Sequence, residues 1–427
     1  MTQARAVRGT KDILPAEIRK WRLAEERART VFGRYGFVEI RTPILEAYEL
    51  FARGVGEATD IVHKEMYVLE RGDERVALRP ENTAPVVRAY LEHGLAHDPR
   101  AERMFYIGPQ FRYERPQRGR LRQFHQIGVE VIGESEPGSD AEVVAMALDY
   151  LTSLRLRDLT LHLNSVGDAN CRPAFREALR VYLEPRLPVL CADCRRRYDQ
   201  NVLRVFDCKV AADREALAAA PVIGDHLCPA CADHHAAVKS ALAALGVAFT
   251  DAPRLVRGLD YYVRTAFEVT AGGLGSQDAV LGGGRYDGLM ATLGGPDLPG
   301  LGFAMGLDRI VLVLPDDHPD LEPEGVDLFL VGVGAEAHGR LARLAQELRG
   351  AHLSVRYDFR PRALGAQMRR ADRLRARVAL LLGEAELASG SCILKRLTDG
   401  HQETVPMAQV AAAARRLGRL PPHGEER

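Results

Sequence analysis

The sequence has no run of eighteen consecutive uncharged apolar residues, and its start, MTQARAVRGTKD, lacks the apolar segment of a secretory signal. We therefore expect no membrane span and no secretion, and a cytoplasmic protein. An excess of charge of one sign is also missing, because 58 basic residues balance 58 acidic ones. That balance gives no general attraction to nucleic acid, so contact with a polyanion would depend on local clusters.

Two such basic clusters are present. Residues 103–122 contain six arginines and one acid, Glu114. Residues 351–380 contain eight arginines and two acids, Asp358 and Asp372. Runs of charge are usually solvated faces, so both clusters have that interpretation as an alternative to polyanion binding.

The length of 427 residues, 46% of them hydrophobic, exceeds what one core usually supports. Residues 15–36 place apolar side chains on one face of a helix, which we predict to end at Gly33. Strand-like runs then follow with few long helices between them, which favours an antiparallel sheet in an α+β fold. We expect four segments: a sheet domain, a helical insertion, the rest of the sheet domain and, after a linker rich in proline and acids, a small α/β domain. Their expected ranges are 1–167, 168–245, 246–320 and 326–427.

Seven cysteines in a chain without a secretory signal point to metal rather than disulfides. CADC and CPAC each contain a CxxC pair, and four thiolates in two such pairs suit a tetrahedral Zn²⁺ site. The ligands would be Cys191, Cys194, Cys228 and Cys231, in a structural site far from catalysis. Cys208, His226, His234 and His235 are alternative ligands, while Cys171 and Cys392 are expected to be buried thiols.

The segment QFRYERPQRGRLRQFHQIGVEVIG, residues 110–133, combines charge with strand character. Arg112 and Glu114 lie two apart on a strand and therefore face the same side. A basic tip leads into a second strand with Gln126 and Glu130. Alone, this pattern is equally consistent with solvent-facing charge and with an anion site.

Four further segments carry similar signals, one before this segment in the chain and three after it. Glu81 comes after a strand in the first, and Arg309 ends a glycine-spaced strand in the last. Glycine runs can also be ordinary turns or close packing. The segments are LRPENTA (78–84), RGLDYYVRTAFE (257–268), GGGRYDGL (282–289) and PGLGFAMGLDRI (299–310).

In order and wording these segments resemble histidyl-tRNA synthetases over essentially the whole chain. GFVEIRTPILE resembles motif 1 of class II synthetases, with Pro43 as its proline. FRYE with the arginine tip resembles motif 2, and GLGFAMGLDR resembles motif 3, although Asp308 stands where glutamate is more usual. RGLDYYVRT and GGGRYDG resemble the two histidine-specific signatures of the family.

The resemblance implies a class II catalytic sheet flanked by helices, a helical insertion and a C-terminal α/β anticodon-binding domain. It implies a ligase that activates L-histidine with ATP and Mg²⁺, releases pyrophosphate, and transfers histidine to the 3′ end of tRNA(His). It also implies a homodimer formed through motif 1. In the C-terminal domain the basic stretch would contact the anticodon arm, with Gln367 and Asp372 available to read bases.

The resemblance also assigns roles to site residues. Arg112 and Arg257 would be catalytic, at the α-phosphate, and Arg257 would also reach the substrate carboxylate. ATP would be bound by Arg112, Glu114 and Arg309. Histidine would be bound at its α-amine by Glu81, Thr83 and Gln126, and at its imidazole by Glu130, Tyr262 and Tyr286. Core packing is the alternative for the tyrosines, and it is favoured more for Tyr261.

Two alternatives belong to other classes. A catalytically inactive paralogue, which serves as a regulatory subunit of the first enzyme of histidine biosynthesis, shares the catalytic fold. That paralogue lacks the C-terminal domain, whereas this chain has such a domain and keeps Arg257 and Arg309. Another class II ligase, for proline or threonine, would have no use for the RGLDYY segment.

Overall fold

The structure is a computed structural model that describes residues 3–57, 59–275, 278–321 and 325–419. The chain divides into two compact units, Met1–Leu321 and Glu322–Arg427. Part of the expected linker, residues 322–324, lies outside the described residues. Each unit has its own hydrophobic core and is described separately.

Unit 1 begins with a helix whose apolar face is buried. Helix α1 is Pro15–Arg34, and Trp21, Phe32 and their neighbours on that face enter the main core. The helix passes through Gly33, so the prediction that it ends there is wrong by one residue. Burial of Phe32 outweighs the cost of about 1 kcal/mol that a helical glycine carries. The chain turns at Gly36, where φ is 79°.

The elements from α1 to the insertion alternate short strands with helices. Ala52–Gly56 and Ile61–Glu65 are π-helical turns. The strands and helices are β1 (Val38–Glu39), β2 (Leu45–Ala47), α2 (Tyr48–Phe51), β3 (Tyr67–Arg71), β4 (Glu74–Leu78), α3 (Thr83–Glu92), β5 (Arg103–Phe111), β6 (Gln123–Ile132), α4 (Pro137–Ser153) and β7 (Thr160–Ser165).

A helical insertion follows β7, with a small core of its own that includes four cysteines. Its helices are α5 (Arg172–Leu183), α6 (Ala192–Gln200), α7 (Ala211–Ala216) and α8 (Pro229–Ala244). The sheet then resumes. Its remaining elements are β8 (Thr250–Asp251), β9 (Val263–Thr270), β10 (Ala279–Arg285), α9 (Leu289–Thr292), β11 (Gly300–Gly306) and α10 (Leu307–Val313).

Eight strands from both sides of the insertion form one sheet, in the order β1-β5-β6-β11-β10-β9-β7-β8. Its five central pairings are antiparallel, as the sequence predicts, while β1 and β8 at the two edges pair in parallel. A separate antiparallel sheet has the order β2-β4-β3. In the large sheet Glu130 of β6 lies opposite Gly302 of β11, a register that shapes the pocket described below.

Unit 2 is a five-stranded mixed sheet with helices. β12 pairs in parallel with β13 and β14, and β15 and β16 extend the sheet in antiparallel order. The elements are β12 (Leu328–Gly332), α11 (Ala335–Gly350), β13 (Val355–Tyr357), α12 (Leu364–Arg373), β14 (Val378–Leu382), α13 (Glu384–Ser389), β15 (Ser391–Arg396), β16 (Gln402–Pro406) and α14 (Val410–Gly418). Among the described helices of both units, none is long and apolar enough to cross a membrane.

Candidate active site

A cavity of about 270 Å³ opens on the large sheet of unit 1, and its wall includes residues of the segments 78–84, 110–133, 257–268, 282–289 and 299–310. Its floor is formed by β6, β9, β10 and β11. The hairpin between β5 and β6 and the start of α3 form its sides. Eight residues to which the sequence assigns a role line it: Glu81, Thr83, Arg112, Glu114, Gln126, Arg257, Tyr262 and Arg309.

Glu81 sits at the start of α3 and binds the backbone of that helix. Its carboxylate accepts hydrogen bonds from the N–H groups of Thr83 (2.8 Å) and Ala84 (3.0 Å). Such donors at a helix start stabilise a carboxylate. Burial outweighs them, however, and raises the pKa of Glu81. One wall of the cavity therefore presents a rigidly held carboxyl group.

Glu130 lies buried behind that wall and is held by two hydroxyl groups. Thr83 Oγ1 donates to Glu130 Oε1 at 2.7 Å, and the hydroxyl of Tyr286 donates to Glu130 Oε2 at 2.6 Å. Burial raises the pKa of Glu130 to about 8, although both hydrogen bonds act in the opposite direction. Neither Glu130 nor Tyr286 lines the cavity directly. Thr83 does line it, and the hydroxyl of Thr83 binds Glu130.

Glycine at position 302 makes room for this carboxylate. A Cβ atom at Gly302 would lie 2.2 Å from Glu130 Oε2, which is far inside van der Waals contact. The glycine-spaced strand that the sequence shows in motif 3 is therefore explained by close approach of a buried side chain.

Two tyrosines without a predicted binding role also line the cavity. Tyr261, for which core packing was favoured, packs in the core and also lines the cavity, with its hydroxyl 3.5 Å from Glu81 Oε2. Tyr106 lies on β5, and its buried hydroxyl has no hydrogen-bond partner among the described residues. No motif of the sequence marks Tyr106. Only the sheet register, which places it beside Gly128, brings it to the site.

Arg257 lies against β10 at Gly282. Its Nη1 donates to Glu268 Oε2 at 2.8 Å, and its guanidinium lies 5.9 Å from the ring centre of Tyr262. A Cβ atom at Gly282 would lie 1.8 Å from Nη2 of Arg257. Gly282 thus leaves room for this arginine, and the glycine run is not a turn, because residues 279–285 form β10.

Arg112 and Glu114 lie just after β5, at the base of the hairpin. Arg112 Nε donates to the carbonyl of Pro80 at 2.9 Å, and its guanidinium lies over the ring of Phe124 at 5.3 Å. Glu114 pairs with Arg120 across the hairpin, at 2.8 Å. The charged pair therefore fixes the shape of the basic tip, which lines the cavity through Gly119 and Arg120.

Arg309 ties this tip to the sheet. Its Nε donates to the carbonyl of Gly119 at 3.0 Å and its Nη1 to that of Ala279 at 2.6 Å. Burial lowers the pKa of Arg309. An arginine stays protonated despite such a shift, because its ordinary pKa is above 12. The neighbouring Asp308 accepts the backbone N–H of His125 at 2.7 Å, so it holds β6 against α10.

The four cysteines of the two CxxC pairs do not form one site, so the predicted four-cysteine grouping is wrong. Each pair begins a different helix, with Cys191 before α6 and Cys228 before α8. Each is completed by another cysteine and an aspartate. The two sets are Asp168, Cys171, Cys228 and Cys231, and Cys191, Cys194, Cys208 and Asp213.

The outcome for the other cysteines and the histidines is mixed. Cys208, an alternative ligand, belongs to the second set, whereas Cys171, expected to be an incidental thiol, belongs to the first. Cys392 is buried in unit 2. His234 instead contacts Asp140 at 3.4 Å.

The insertion is also closer to the pocket than the sequence suggested. Arg172, next to Cys171, donates to the carbonyl of Tyr262. Asn201 Nδ2 donates to Asp260 Oδ1, in the RGLDYY segment, at 3.0 Å. The insertion therefore packs against the segment that holds Arg257.

In unit 2 the expectation that Gln367 reads bases is wrong. Its side chain is fully buried and binds the backbone of Gly332, with its Oε1 accepting at 3.2 Å and its Nε2 donating at 2.9 Å. Asp372 is exposed. Asp358 is buried and pairs with Arg370 (3.0 Å) and Arg362 (3.5 Å), so part of the positive charge of the stretch is neutralised.

The antiparallel sheet, the hairpin whose arginine tip is tied to the strand–helix motif by Arg309, and the separate α/β unit define a class II aminoacyl-tRNA synthetase. Residues 9–310 match the sequence model of the family described as Histidyl-tRNA synthetase, and residues 327–417 match that of the Anticodon binding domain. The chain belongs to the histidyl-tRNA synthetase family.

Individual relatives agree with this assignment. The chain is 51% identical to a histidine–tRNA ligase of Moorella thermoacetica, over 96% of this chain and 97% of the relative. It is 49% identical to one of Geobacter sulfurreducens, over 96% and 98%. The apo histidyl-tRNA synthetase of S. aureus matches with a TM-score of 0.81 and 36% identity, covering 96% of this chain and 99% of that one.

A further structural match concerns the paralogue alternative. A protein of Bacillus halodurans described as an ATP phosphoribosyltransferase regulatory subunit/histidyl-tRNA synthetase gives a TM-score of 0.64 at 20% identity, over 90% of this chain and 99% of that chain. At that identity the match shows a shared fold and nothing about activity.

Proposed function

We propose that the pocket of unit 1 carries out both steps of a histidine–tRNA ligase. In the first step, a carboxylate oxygen of histidine attacks the α-phosphorus of ATP, the bond to the β-phosphate breaks, and pyrophosphate leaves. In the second, a hydroxyl of the terminal ribose of tRNA attacks the carbonyl carbon of the adenylate, and AMP leaves.

The arginines of the pocket suit the first step, because negative charge must be gathered before the phosphates can react. Arg112 and Arg257 are assigned to the α-phosphate, and Arg257 also to the substrate carboxylate. Arg309, at the base of the hairpin tip, is assigned to the far end of the triphosphate. Each is already fixed by hydrogen bonds to backbone carbonyls or to Glu268, so little ordering remains to be done on binding.

Mg²⁺ fits the carboxylates that the pocket offers. Glu114 and Glu268 line it, and each is paired with an arginine in the absence of substrate. Mg²⁺ is usually held by one or two carboxylates together with phosphates and water, and it would neutralise charge on the outer phosphates. Glu114 and Glu268 are the residues that would hold it.

Recognition of histidine is assigned to acidic and uncharged polar groups, mainly carboxylates and hydroxyls, rather than to arginines. Glu81, Thr83 and Gln126 would take the α-amine. Gln126 Oε1 is buried and has no hydrogen-bond partner among the described residues, so an acceptor is available there. The buried carboxylate of Glu130, with Tyr286 and Tyr262, would take the imidazole, whose ring N–H is a donor.

The observation that carries the proposal is the Thr83–Glu130–Tyr286 hydrogen-bonded group beside a pocket lined by four arginines. ATP–pyrophosphate exchange with a panel of amino acids tests it, and we expect exchange with histidine alone. Exchange with a different amino acid would indicate another class II ligase. Absence of exchange with all of them, in folded protein, would favour the regulatory paralogue.

Unit 2 is proposed to bind the anticodon arm of tRNA(His). Several arginines of the stretch 351–380 are exposed, among them Arg356 and Arg360, and Phe359 between them is 85% exposed. Unstacked bases bind to aromatic rings, and arginines contact phosphates. An exposed ring between two cations therefore suits a single-stranded loop better than it suits a merely solvated face.

Dimerisation through motif 1 is likewise a proposal. Pro43, Ile44 and Leu45 are exposed next to β1, which is an edge strand of the large sheet. An exposed apolar segment at a sheet edge fits an isologous interface with a second copy. Cytoplasmic localisation stays a prediction. So does structural zinc in the insertion, which would take no part in either chemical step.

A further inference from the structure

Six of the seven cysteines lie in the insertion or just before it, and they form two separate clusters that share one composition. Cluster A is Asp168, Cys171, Cys228 and Cys231, and cluster B is Cys191, Cys194, Cys208 and Asp213. In each cluster the four ligand atoms, three sulfurs and one carboxylate oxygen, lie within 4.8 Å of one another.

These spacings fit the size of a tetrahedral zinc site. Zn–S bonds of about 2.3 Å at tetrahedral angles place two sulfurs about 3.8 Å apart. In cluster B the sulfurs of Cys191 and Cys208 are 3.8 Å apart. A disulfide would need about 2.05 Å, and all seven cysteines are free.

Cluster B is assembled from three chain segments. Cys191 precedes α6, and the N–H of Cys194 points at its sulfur at 3.4 Å, a common arrangement of a CxxC pair. Cys208 adds the third sulfur, 3.2 Å from Asp213 Oδ2. The backbone N–H of Cys191 also donates to both carboxylate oxygens of Asp213, at 3.1 and 3.2 Å, and so fixes the aspartate.

Cluster A has the same ligand types as cluster B and lies at the starts of α5 and α8. Asp168 Oδ1 accepts the N–H groups of Asn170 (2.9 Å) and Cys171 (3.2 Å), which orients the carboxylate. The N–H of Cys228, at the start of α8, points at the sulfur of Cys171 at 3.1 Å. Backbone N–H groups that point at sulfurs are what a thiolate ligand requires.

Ordinary core packing explains the thiols but not the carboxylates. Cysteine packs well in an apolar core, and four of these cysteines are buried in the insertion core. Asp213, however, is 1% exposed, and its carboxylate lies among three cysteines, 3.2 Å from the sulfur of Cys208. Packing in an apolar core gives no reason for a carboxylate at this place, whereas three cysteines and an aspartate are ligand types that zinc takes.

We propose that the insertion binds two structural zinc ions, one at cluster A and one at cluster B, each through three cysteines and an aspartate. The insertion has a small hydrophobic core of its own, and metal sites stabilise small units directly. The cluster B ion also restrains residues 201–208, which contact the rest of unit 1 through Asn201, bound to Asp260 of the RGLDYY segment, and Arg204, bound to Asp60.

Metal analysis of the full chain, purified without chelator, tests the proposal. We expect two zinc ions per chain in the wild type. Cys194→Ser should remove the ion of cluster B alone and Cys231→Ser that of cluster A alone, leaving one in each variant. Cys392→Ser changes a buried cysteine of unit 2 and should keep both ions, so it controls for the loss of any buried thiol.

A wild-type count of one or of none would overturn the proposal, and so would iron in place of zinc. Loss of all zinc from either single variant, with helix content unchanged by circular dichroism, would indicate one shared site and would also overturn it. Where a serine variant fails to fold, Asp213→Asn and Asp168→Asn keep the shape of the side chain. Each should lower zinc affinity at least tenfold in a competition titration with a chromogenic chelator, at its own cluster only.

Discussion

The hydroxyl of Tyr286 donates a 2.6 Å hydrogen bond to Glu130, and both side chains are buried. A carboxylate in such surroundings is desolvated, which raises the pKa of Glu130 to about 8. Burial therefore favours the protonated form of Glu130 at neutral pH. Thr83, which binds the other oxygen, links this group to the cavity.

A first prediction concerns the pH dependence of histidine binding. If the imidazole N–H donates to Glu130, binding must displace the proton from that carboxyl group. Histidine affinity should then rise as pH rises toward about 8, the pKa of Glu130, by up to about tenfold per pH unit, and level off above it. Calorimetric titration of histidine between pH 7 and 9 measures this, in a range where free imidazole is already neutral, since its pKa is about 6.5.

The control is Glu130→Gln, which keeps the shape but cannot titrate. It should bind histidine roughly 10- to 100-fold more weakly, the loss of a hydrogen bond to a charged group, and without the pH dependence. The stability of the folded protein should change with pH in the opposite direction to histidine affinity. The raised pKa favours the folded, protonated form, so the wild type should lose stability relative to the variant as pH rises from about 4.5 through about 8. Parallel pH profiles of the two proteins would contradict the assignment.

A second prediction concerns Arg257. Arg257→Ala should lower kcat/KM for histidine-dependent pyrophosphate exchange by at least about 100-fold, the usual loss when a charge-stabilising donor is removed. The fold should be retained, because the guanidinium lies on the sheet surface and lines the cavity. Exchange kinetics together with thermal unfolding measure both effects.

Gly282→Ala should reproduce most of that loss of kcat/KM although Arg257 itself is unchanged. Its Cβ would lie 1.8 Å from Nη2 of Arg257, so the guanidinium would have to move. Gly138→Ala is the matched control, because a Cβ atom there meets nothing within 4 Å. Full activity in Gly282→Ala would mean that the observed position of Arg257 is not the one used in catalysis.

Strand and helix patterns, with the family motifs, were sufficient to predict the α+β fold and eight of the residues that line the pocket. The same patterns could not locate Tyr106, because only the pairing of β5 with β6 places it over Gly128. The prediction of one four-cysteine zinc site is wrong for a related reason. CxxC spacing identifies two ligands, but which residues join them depends on the packing of α5 to α8, and no local pattern relates Asp213 to Cys191. The prediction for Gln367 is wrong because the few buried positions of a polar helix cannot be told from its exposed ones by composition.

A third prediction concerns assembly. Ile44 is 41% exposed beside an edge strand, and in an isologous interface it would be buried twice, once in each copy. Sedimentation should show a dimer at micromolar concentration, and Ile44→Asp should shift it to monomer, since burying an unpaired charge costs several kcal/mol. Leu245→Asp, at a 56% exposed position of the insertion, should remain dimeric. A wild-type monomer would refute the interface.

The last prediction tests unit 2. Phe359 is 85% exposed, with its ring 5.2 Å from that of Tyr357 and exposed arginines on either side in sequence. Stacking of a base on such a ring contributes about 1–3 kcal/mol. Phe359→Ala should therefore raise KM for tRNA(His) in the charging reaction by roughly 10- to 100-fold while leaving histidine-dependent pyrophosphate exchange unchanged, because that reaction does not use tRNA.

Two controls separate stacking from general effects. Val333→Ala removes another exposed apolar side chain of unit 2, 46% exposed, and should leave both reactions unchanged. Arg360→Ala should weaken tRNA binding and reduce its salt dependence, since a phosphate contact releases counterions, whereas Phe359→Ala should leave the salt slope as in the wild type. If Phe359→Ala charges tRNA normally while Arg360→Ala does not, the stretch contacts only phosphates. If both variants charge normally, residues 351–380 are a solvated face and the anticodon arm binds elsewhere.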